Sequence, residues 1–168
     1  MRGLIHIYCG DGKGKTTAAV GLAIRAAGAG LNVMFVQFLK NGNSSENEIL
    51  KQIKNINICC CEVCNKFTFR MNDDEKKLVT EKHNDMINQA FWSCADIIIL
   101  DEFLDAYNKN MIDRKTSGNM ILNDHREIIL TGRNPAEIFL EKAGYISEIN
   151  AIRHPYEKGI TARKGIEY

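Results

Sequence analysis

The chain has 168 residues, of which 45% are hydrophobic and 26% charged, with a formal net charge of +1. That length fits one globular domain over residues 1–168, with a core that needs no staples, and the composition excludes disordered, collagenous and coiled-coil chains. Near-neutrality excludes a nucleic acid as the expected partner, and the longest aliphatic run, Ile97 to Leu100, is far short of the ~20 apolar residues of a membrane span.

Met1-Arg2-Gly3 passes straight into the first predicted strand, Leu4–Cys9, with no apolar leader, so a cytoplasmic location is expected. A glycine-rich loop follows, then a predicted helix from Thr16 to about Ala27 that Gly28 and Gly30 end. Further strands are predicted at Asn32–Phe38, Ile56–Cys61, Asp96–Asp101, Glu127–Thr131 and Tyr145–Asn150. Between them lie a helix near Glu46–Lys54 and a long amphipathic one from Asp73 to about Ala95, where Val79, His83, Met86, Ile87, Ala90, Phe91 and Cys94 recur at three and four. A shorter helix is expected to begin at Pro135 with Asn134 as its cap. Ile152 to Tyr168 reads as a mildly basic tail. Alternating strand and helix predicts an α/β fold, a mostly parallel sheet flanked by helices on both faces, with sites at the carboxyl ends of the strands.

Cys9-Gly10-Asp11-Gly12-Lys13-Gly14-Lys15-Thr16-Thr17 joins the first strand to the first helix, where a phosphate loop belongs. Its glycines let backbone N–H groups converge on phosphate oxygens at the positive end of a helix, Lys15 would reach between phosphates, and the Thr16 hydroxyl would ligate Mg²⁺. The strict spacing would put glycine where Cys9 stands; the first glycine is Gly10, one residue late. Lys13 fits a phosphate contact or a solvated loop. Asp101 and Glu102, at the end of an aliphatic strand, are where a metal-water shell would be held, the alternative being a helix cap. The fold is therefore expected to be P-loop NTPase-like (RecA-like). Arg133, after the fifth strand, fits a phosphate contact or a surface ion pair, and Gln37 and Lys40 stand at the same sheet edge. These residues alone leave open a small-molecule kinase or NTPase and an ATP-dependent switch protein.

Several ordered motifs narrow the choice: the loop through Ala18-Ala19, Val36-Gln37-Phe38-Leu39-Lys40, Phe67-Thr68-Phe69, Leu100-Asp101-Glu102, Thr131-Gly132-Arg133, and an ending from His154-Pro155-Tyr156 through Gly159-Ile160 to Gly165-Ile166-Glu167-Tyr168. Over nearly its full length the chain resembles corrinoid adenosyltransferases of the CobA/BtuR/CobO type. The resemblance implies transfer of the 5′-deoxyadenosyl group of ATP to the Co(I) of a reduced corrinoid with release of triphosphate. It also implies a nucleotide held over Gly10 to Thr17 in reverse orientation relative to ordinary P-loop enzymes. Lys15 and Thr16 are then catalytic. Gly10, Asp11, Gly12, Lys13, Gly14, Lys15, Thr16, Thr17 and Arg133 bind ATP, and Thr16, Asp101 and Glu102 hold its Mg²⁺. In the family the aromatic pair of a Phe-Thr-Trp motif displaces the lower axial ligand of cobalt, which eases reduction to Co(I). Phe67 and Phe69 are the matching positions, with phenylalanine where the family has tryptophan. A flavoprotein electron donor and a homodimer are implied in the same way. The first strand begins at Leu4, so the N-terminal extension that some members fold over the corrinoid is not expected.

The six cysteines are read as reduced thiols. In a strand, Cys59 and Cys61 would face one side and Cys60 the other, which disfavours one shared metal ion despite the Cys61-x-x-Cys64 spacing. Trp92 is expected to pack on the long helix rather than to serve as the missing tryptophan of the aromatic motif.

Overall fold

A computed structural model of the chain describes residues 3–153 and 155–167; His154 and Tyr168, which carry part of the resemblance, lie outside them. Six strands form an all-parallel sheet: β1 (Ile5–Cys9), β2 (Val33–Gln37), β3 (Ile56–Cys60), β4 (Ile97–Asp101), β5 (Glu127–Thr131) and β6 (Ala143–Glu148). Their spatial order is β3-β2-β4-β5-β1-β6, so β5 separates the loop-bearing strand β1 from the acid-bearing strand β4. The helices are α1 (Lys15–Gly28), α2 (Ser45–Leu50), α3 (Asp73–Phe91), α4 (Phe103–Asn108), α5 (Arg114–Asn123) and α6 (Glu137–Leu140).

Strand periodicity sorts the core into two layers. Val33, Phe35, Ile97, Ile99 and Ile129 face α1, which meets them with Ala19, Ala23 and Ala26, small residues at helical spacing that let the helix lie close to the sheet. On the other face Ile7, Met34, Val36, Ile98, Leu100, Ile128 and Leu130 pack with Val79, Met86 and Ile87 of α3 and with Phe103, Leu104, Ile121 and Phe139 from α4, α5 and α6. Each of these large side chains contributes roughly 1.5–3 kcal/mol by leaving water. Helices thus cover both faces, and the fold is P-loop NTPase-like.

Local chemistry accounts for the element ends. Beyond α1 the N–H of Leu31 donates to Ala26 O and that of Gly30 to Ala27 O, with Gly30 at φ 86°, a Schellman ending. α3 opens on a capping box in which Asn72 and Glu75 exchange hydrogen bonds. It stops at Phe91, short of the expected Ala95, so Cys94 is exposed rather than on the buried face, and Trp92, its C-cap, is exposed rather than packed. The expected start at Pro135 is corrected to Glu137: Asn134 has a left-handed φ of 49° and Ala136 takes the cap position. β6 begins two residues before its expected start. Helices α4 and α5 have no counterpart in the sequence reading. The first is a six-residue helix entered directly from β4, too short to show a period, and α5 carries Gly118 and the weak helix formers Thr116, Ser117, Asn119 and Asn123.

Candidate active site

The glycine-rich loop runs from the carboxyl end of β1 into α1. Gly10, at φ 106°, passes so close to the segment after β6 that a Cβ would lie 2.3 Å from Ile149 O, which no other residue type permits. That segment holds the loop: Gly12 N–H donates to Ile149 O at 2.8 Å, and Ala151 N–H donates to the Asp11 carboxylate at 3.0 Å. Lys15 is buried and folds back to donate from Nζ to Gly12 O at 2.8 Å, while Lys13 is exposed. Gly14, at φ 122°, turns the chain into α1, whose first-turn N–H groups have no partner within the helix and face outward from its N-terminus.

Asp101 lies beneath the loop, fully buried at the end of β4. Its carboxylate accepts from Thr16 Oγ1 at 2.9 Å, Thr131 Oγ1 at 2.7 Å and Lys40 Nζ at 2.7 Å. Lys40 Nζ also donates to Thr16 Oγ1 at 3.1 Å. Burial pulls the Lys40 ammonium down, but the adjoining Asp101 carboxylate outweighs it and the net shift is upward. Gln37, paired in register with Asp101 across β2 and β4, is fully buried and accepts from Asn47 Nδ2 at 2.8 Å. Asp101 thus ends β4 beside the loop threonine. Its partners Thr131 and Lys40 meet it only because β5 and β2 flank β4, a neighbourhood that sequence spacing does not carry.

Glu102 holds a left-handed φ of 59°, a conformation that costs a non-glycine residue about 1–3 kcal/mol. Its N–H donates to Thr131 Oγ1 at 2.9 Å, which ties the turn into α4 to the same cluster, and burial followed by the Asp101 charge raises its carboxyl. Leu39 is the matching strained residue after β2, at φ 56°. Its N–H donates to His83 Nε2 at 3.2 Å, and His83 Nδ1 bonds Met111 O at 2.8 Å. A ring that accepts at Nε2 and donates at Nδ1 is neutral, and burial pushes its pKa down to about 4. The helix-face histidine of α3 thus fixes the turn that presents Lys40.

Arg133 is exposed at the carboxyl edge of β5, and its N–H donates to Asp105 Oδ2 at 2.9 Å. The preceding Gly132, at φ 138°, lies against α4, where a Cβ would come within 2.8 Å of Leu104 Cβ.

A cleft of about 810 Å³ opens beside the loop, with Thr16, Thr17 and Lys40 on one wall and Lys66, Phe67 and Arg70 on another. Gly165 to Glu167 of the tail also line it. Phe67 caps a single 3₁₀ turn, Thr68–Arg70, that contains Phe69, and the two rings stack with centroids 5.6 Å apart and an interplanar angle of 11°. They are 71% and 78% exposed, so loop packing into the core does not explain them. Arg70 lies over the Phe69 ring at 5.6 Å. Cys61 and Cys64 are buried behind this loop, with Cys60 on the opposite side beside Asn47. Interaction between the neighbouring Cys61 and Cys64 thiols raises Cys61 and lowers Cys64.

A parallel sheet, a glycine-rich strand-to-helix loop and a buried acid joined to the loop threonine are the features of a P-loop NTPase-like fold. The model of the family described as ATP:corrinoid adenosyltransferase BtuR/CobO/CobP matches residues 1–168, and the chain belongs to that family. It is 30% identical to corrinoid adenosyltransferase CobA of Salmonella typhimurium, over 99% of this chain and 86% of that protein. Corrinoid adenosyltransferases of Escherichia coli K12 and Pseudomonas aeruginosa are 28% and 25% identical, each over 99% of this chain and 86% and 84% of their own lengths.

Proposed function

We propose that this family member transfers the 5′-deoxyadenosyl group of ATP to the cobalt of a reduced corrinoid and releases inorganic triphosphate. The observation that carries the corrinoid half is the exposed, stacked Phe67–Phe69 pair beside the cleft that the loop threonines line. A flat macrocycle offers such a pair the apolar surface it otherwise lacks. Phenylalanine at position 69 keeps an aromatic face toward the ring, with less area than an indole.

In this reading the triphosphate rests on the first-turn N–H groups of α1 and on Lys15, which exchanges Gly12 O for a phosphate oxygen. Asp11 and Gly12 shape the loop through Ile149 and Ala151, and Lys13 and Arg133 reach the triphosphate from solvent. Co(I) is the nucleophile: its electron pair forms the bond to C5′ as the C5′–O bond breaks, cobalt becomes Co(III), and the triphosphate oxygen leaves with the bonding pair. Co(I) attacks without prior deprotonation, so positioning and charge stabilisation of the leaving group suffice. The hydroxyl of Thr16 and the carboxylate of Asp101 are hard oxygen donors already gathered around a cationic Lys40 Nζ, and that donor set fits Mg²⁺, with Glu102 beside it. Magnesium there would neutralise charge on the departing triphosphate.

The same reading takes residues 1–168 as one catalytic domain, cytoplasmic and homodimeric, with a flavoprotein supplying electrons to the corrinoid. No helix among the described residues is long and apolar enough to cross a membrane. Identification of the phosphate product tests the assignment. Triphosphate formed only in the presence of a reduced corrinoid is expected, whereas ADP would restore the kinase or NTPase alternative.

A further inference from the structure

We infer that Lys40 is a tethered cation that occupies the divalent-ion position of the nucleotide-free protein and exchanges onto the triphosphate when metal and nucleotide arrive. The inference rests on the adenosyltransferase reading for the identity of the triphosphate, and on the geometry around Asp101 for everything else. Asp101 has no exposed surface, and a buried carboxylate demands a compensating charge. Two hydroxyls, Thr16 and Thr131, donate to it but bring no charge; Lys40 Nζ, at 2.7 Å, supplies the charge. The same Nζ lies 3.1 Å from Thr16 Oγ1. It therefore contacts two of the three residues, Thr16 and Asp101, to which the resemblance assigns a metal.

An ammonium and a divalent ion cannot share those oxygens. Mg²⁺ binds oxygen at about 2.0–2.1 Å, which would bring the two cations within a few ångströms of each other in a poorly screened setting. One must leave, and Lys40 is built to do so. Its side chain is 28% exposed and lines the same cleft as Thr17, so its flexible four-carbon stem has a path toward a nucleotide. The strained Leu39 turn, held by His83, sets the starting point of that path. Divalent ion alone would have to displace Lys40 with no new anion to receive it. With the nucleotide present, the triphosphate receives Lys40, and binding of the two becomes coupled.

Mn²⁺ binding to the nucleotide-free protein, read from the free-ion electron paramagnetic resonance signal, tests the inference without any turnover. Lys40→Met is expected to tighten Mn²⁺ at least tenfold and to weaken binding of inorganic triphosphate with Mg²⁺, measured by calorimetry, at least fivefold. Lys66→Met removes a cleft-lining charge that pairs with Glu75 instead and should leave Mn²⁺ affinity within twofold, which separates exchange from a general field effect. Lys40→Gln keeps a donor to Asp101 without the charge and gives the same readout where the methionine variant does not fold. Mn²⁺ affinity unchanged by loss of the Lys40 charge, or raised equally by Lys66→Met, overturns the inference; tightened Mn²⁺ with unaltered triphosphate binding overturns the exchange. A wild-type protein that binds neither ATP nor triphosphate would instead sink the functional reading and leave the Mn²⁺ comparison to judge Lys40.

Discussion

Beneath the cleft, at its floor side, Asp101 is fully buried and its carboxylate accepts from two threonines and a lysine drawn from α1, β5 and the turn after β2. At the rim, Phe67 and Phe69 stand more than two-thirds exposed and stacked on each other at one short 3₁₀ turn, Phe67 as its cap and Phe69 within it. The floor is pre-organised: strain at Leu39 and Glu102 is offset by hydrogen bonds from the surrounding layers, as suits charges that must be in place before reaction. The rim stores little energy of its own and presents apolar area that only a ligand would cover. The contrast predicts that damage to the floor is felt in chemistry and folding together, whereas damage to the rim is felt only where the corrinoid is handled.

The largest effect should come from Lys15→Ala, which removes the buried ammonium from the loop. Loss of one such charge-stabilising donor lowers the rate by roughly 10²–10³-fold, read as single-turnover adenosylation of chemically prepared Co(I), and near-normal turnover would remove the loop from the mechanism. Asp101→Ala leaves the Lys40 ammonium without its counter-charge and two hydroxyls without their acceptor, and should cost on the order of 3 kcal/mol of stability in urea unfolding. If its stability matches wild type, the floor is not organised around that carboxylate.

His83 sharpens the comparison through pH. Its folded pKa, about 4, lies below the ordinary 6.5, so the unfolded chain binds the proton more readily between those values. Its contribution is fully present above about pH 6.5 and is lost as pH falls toward 4, a swing of roughly 2–3 kcal/mol that chemical denaturation across that window would measure. His83→Gln should flatten the slope; an unchanged slope would assign it to the carboxylates. The smallest effect belongs to the rim. Phe69→Ala should slow reduction of corrinoid to Co(I) about tenfold through lost apolar contact, while transfer from preformed Co(I) and stability, within ~0.5 kcal/mol, stay close to wild type. Equal loss in both half-reactions would contradict the separate roles of rim and floor.

How much of this was legible in the sequence follows the same divide. Strand β5 has the predicted bounds, and β1, β2 and β4 are each one residue shorter at one or both ends, because aliphatic runs bounded by glycines or carboxylates are local signals. The loop, Asp101 and the aromatic pair were legible because each is a contiguous motif. Thr131 stood in a motif and His83 on a helix face, but the tie that the Thr131 hydroxyl makes between Asp101 and Glu102 N–H, and the bond from Leu39 N–H to His83 Nε2, were not legible. Their partners are 29 to 44 residues away in the chain, and only the strand order brings them together. The brace of the loop by Ile149 and Ala151 was hidden for the same reason, since β6 lies beside β1 at the far end of the sequence.

The most direct test of the account is anaerobic mixing of the protein with MgATP and chemically reduced cob(I)alamin, with cobalt absorbance followed in time. The account predicts a light-sensitive adenosyl–cobalt product formed together with an equal amount of inorganic triphosphate. ATP binding with no cobalt–carbon bond, on cobalamin and on cobinamide alike, would contradict it.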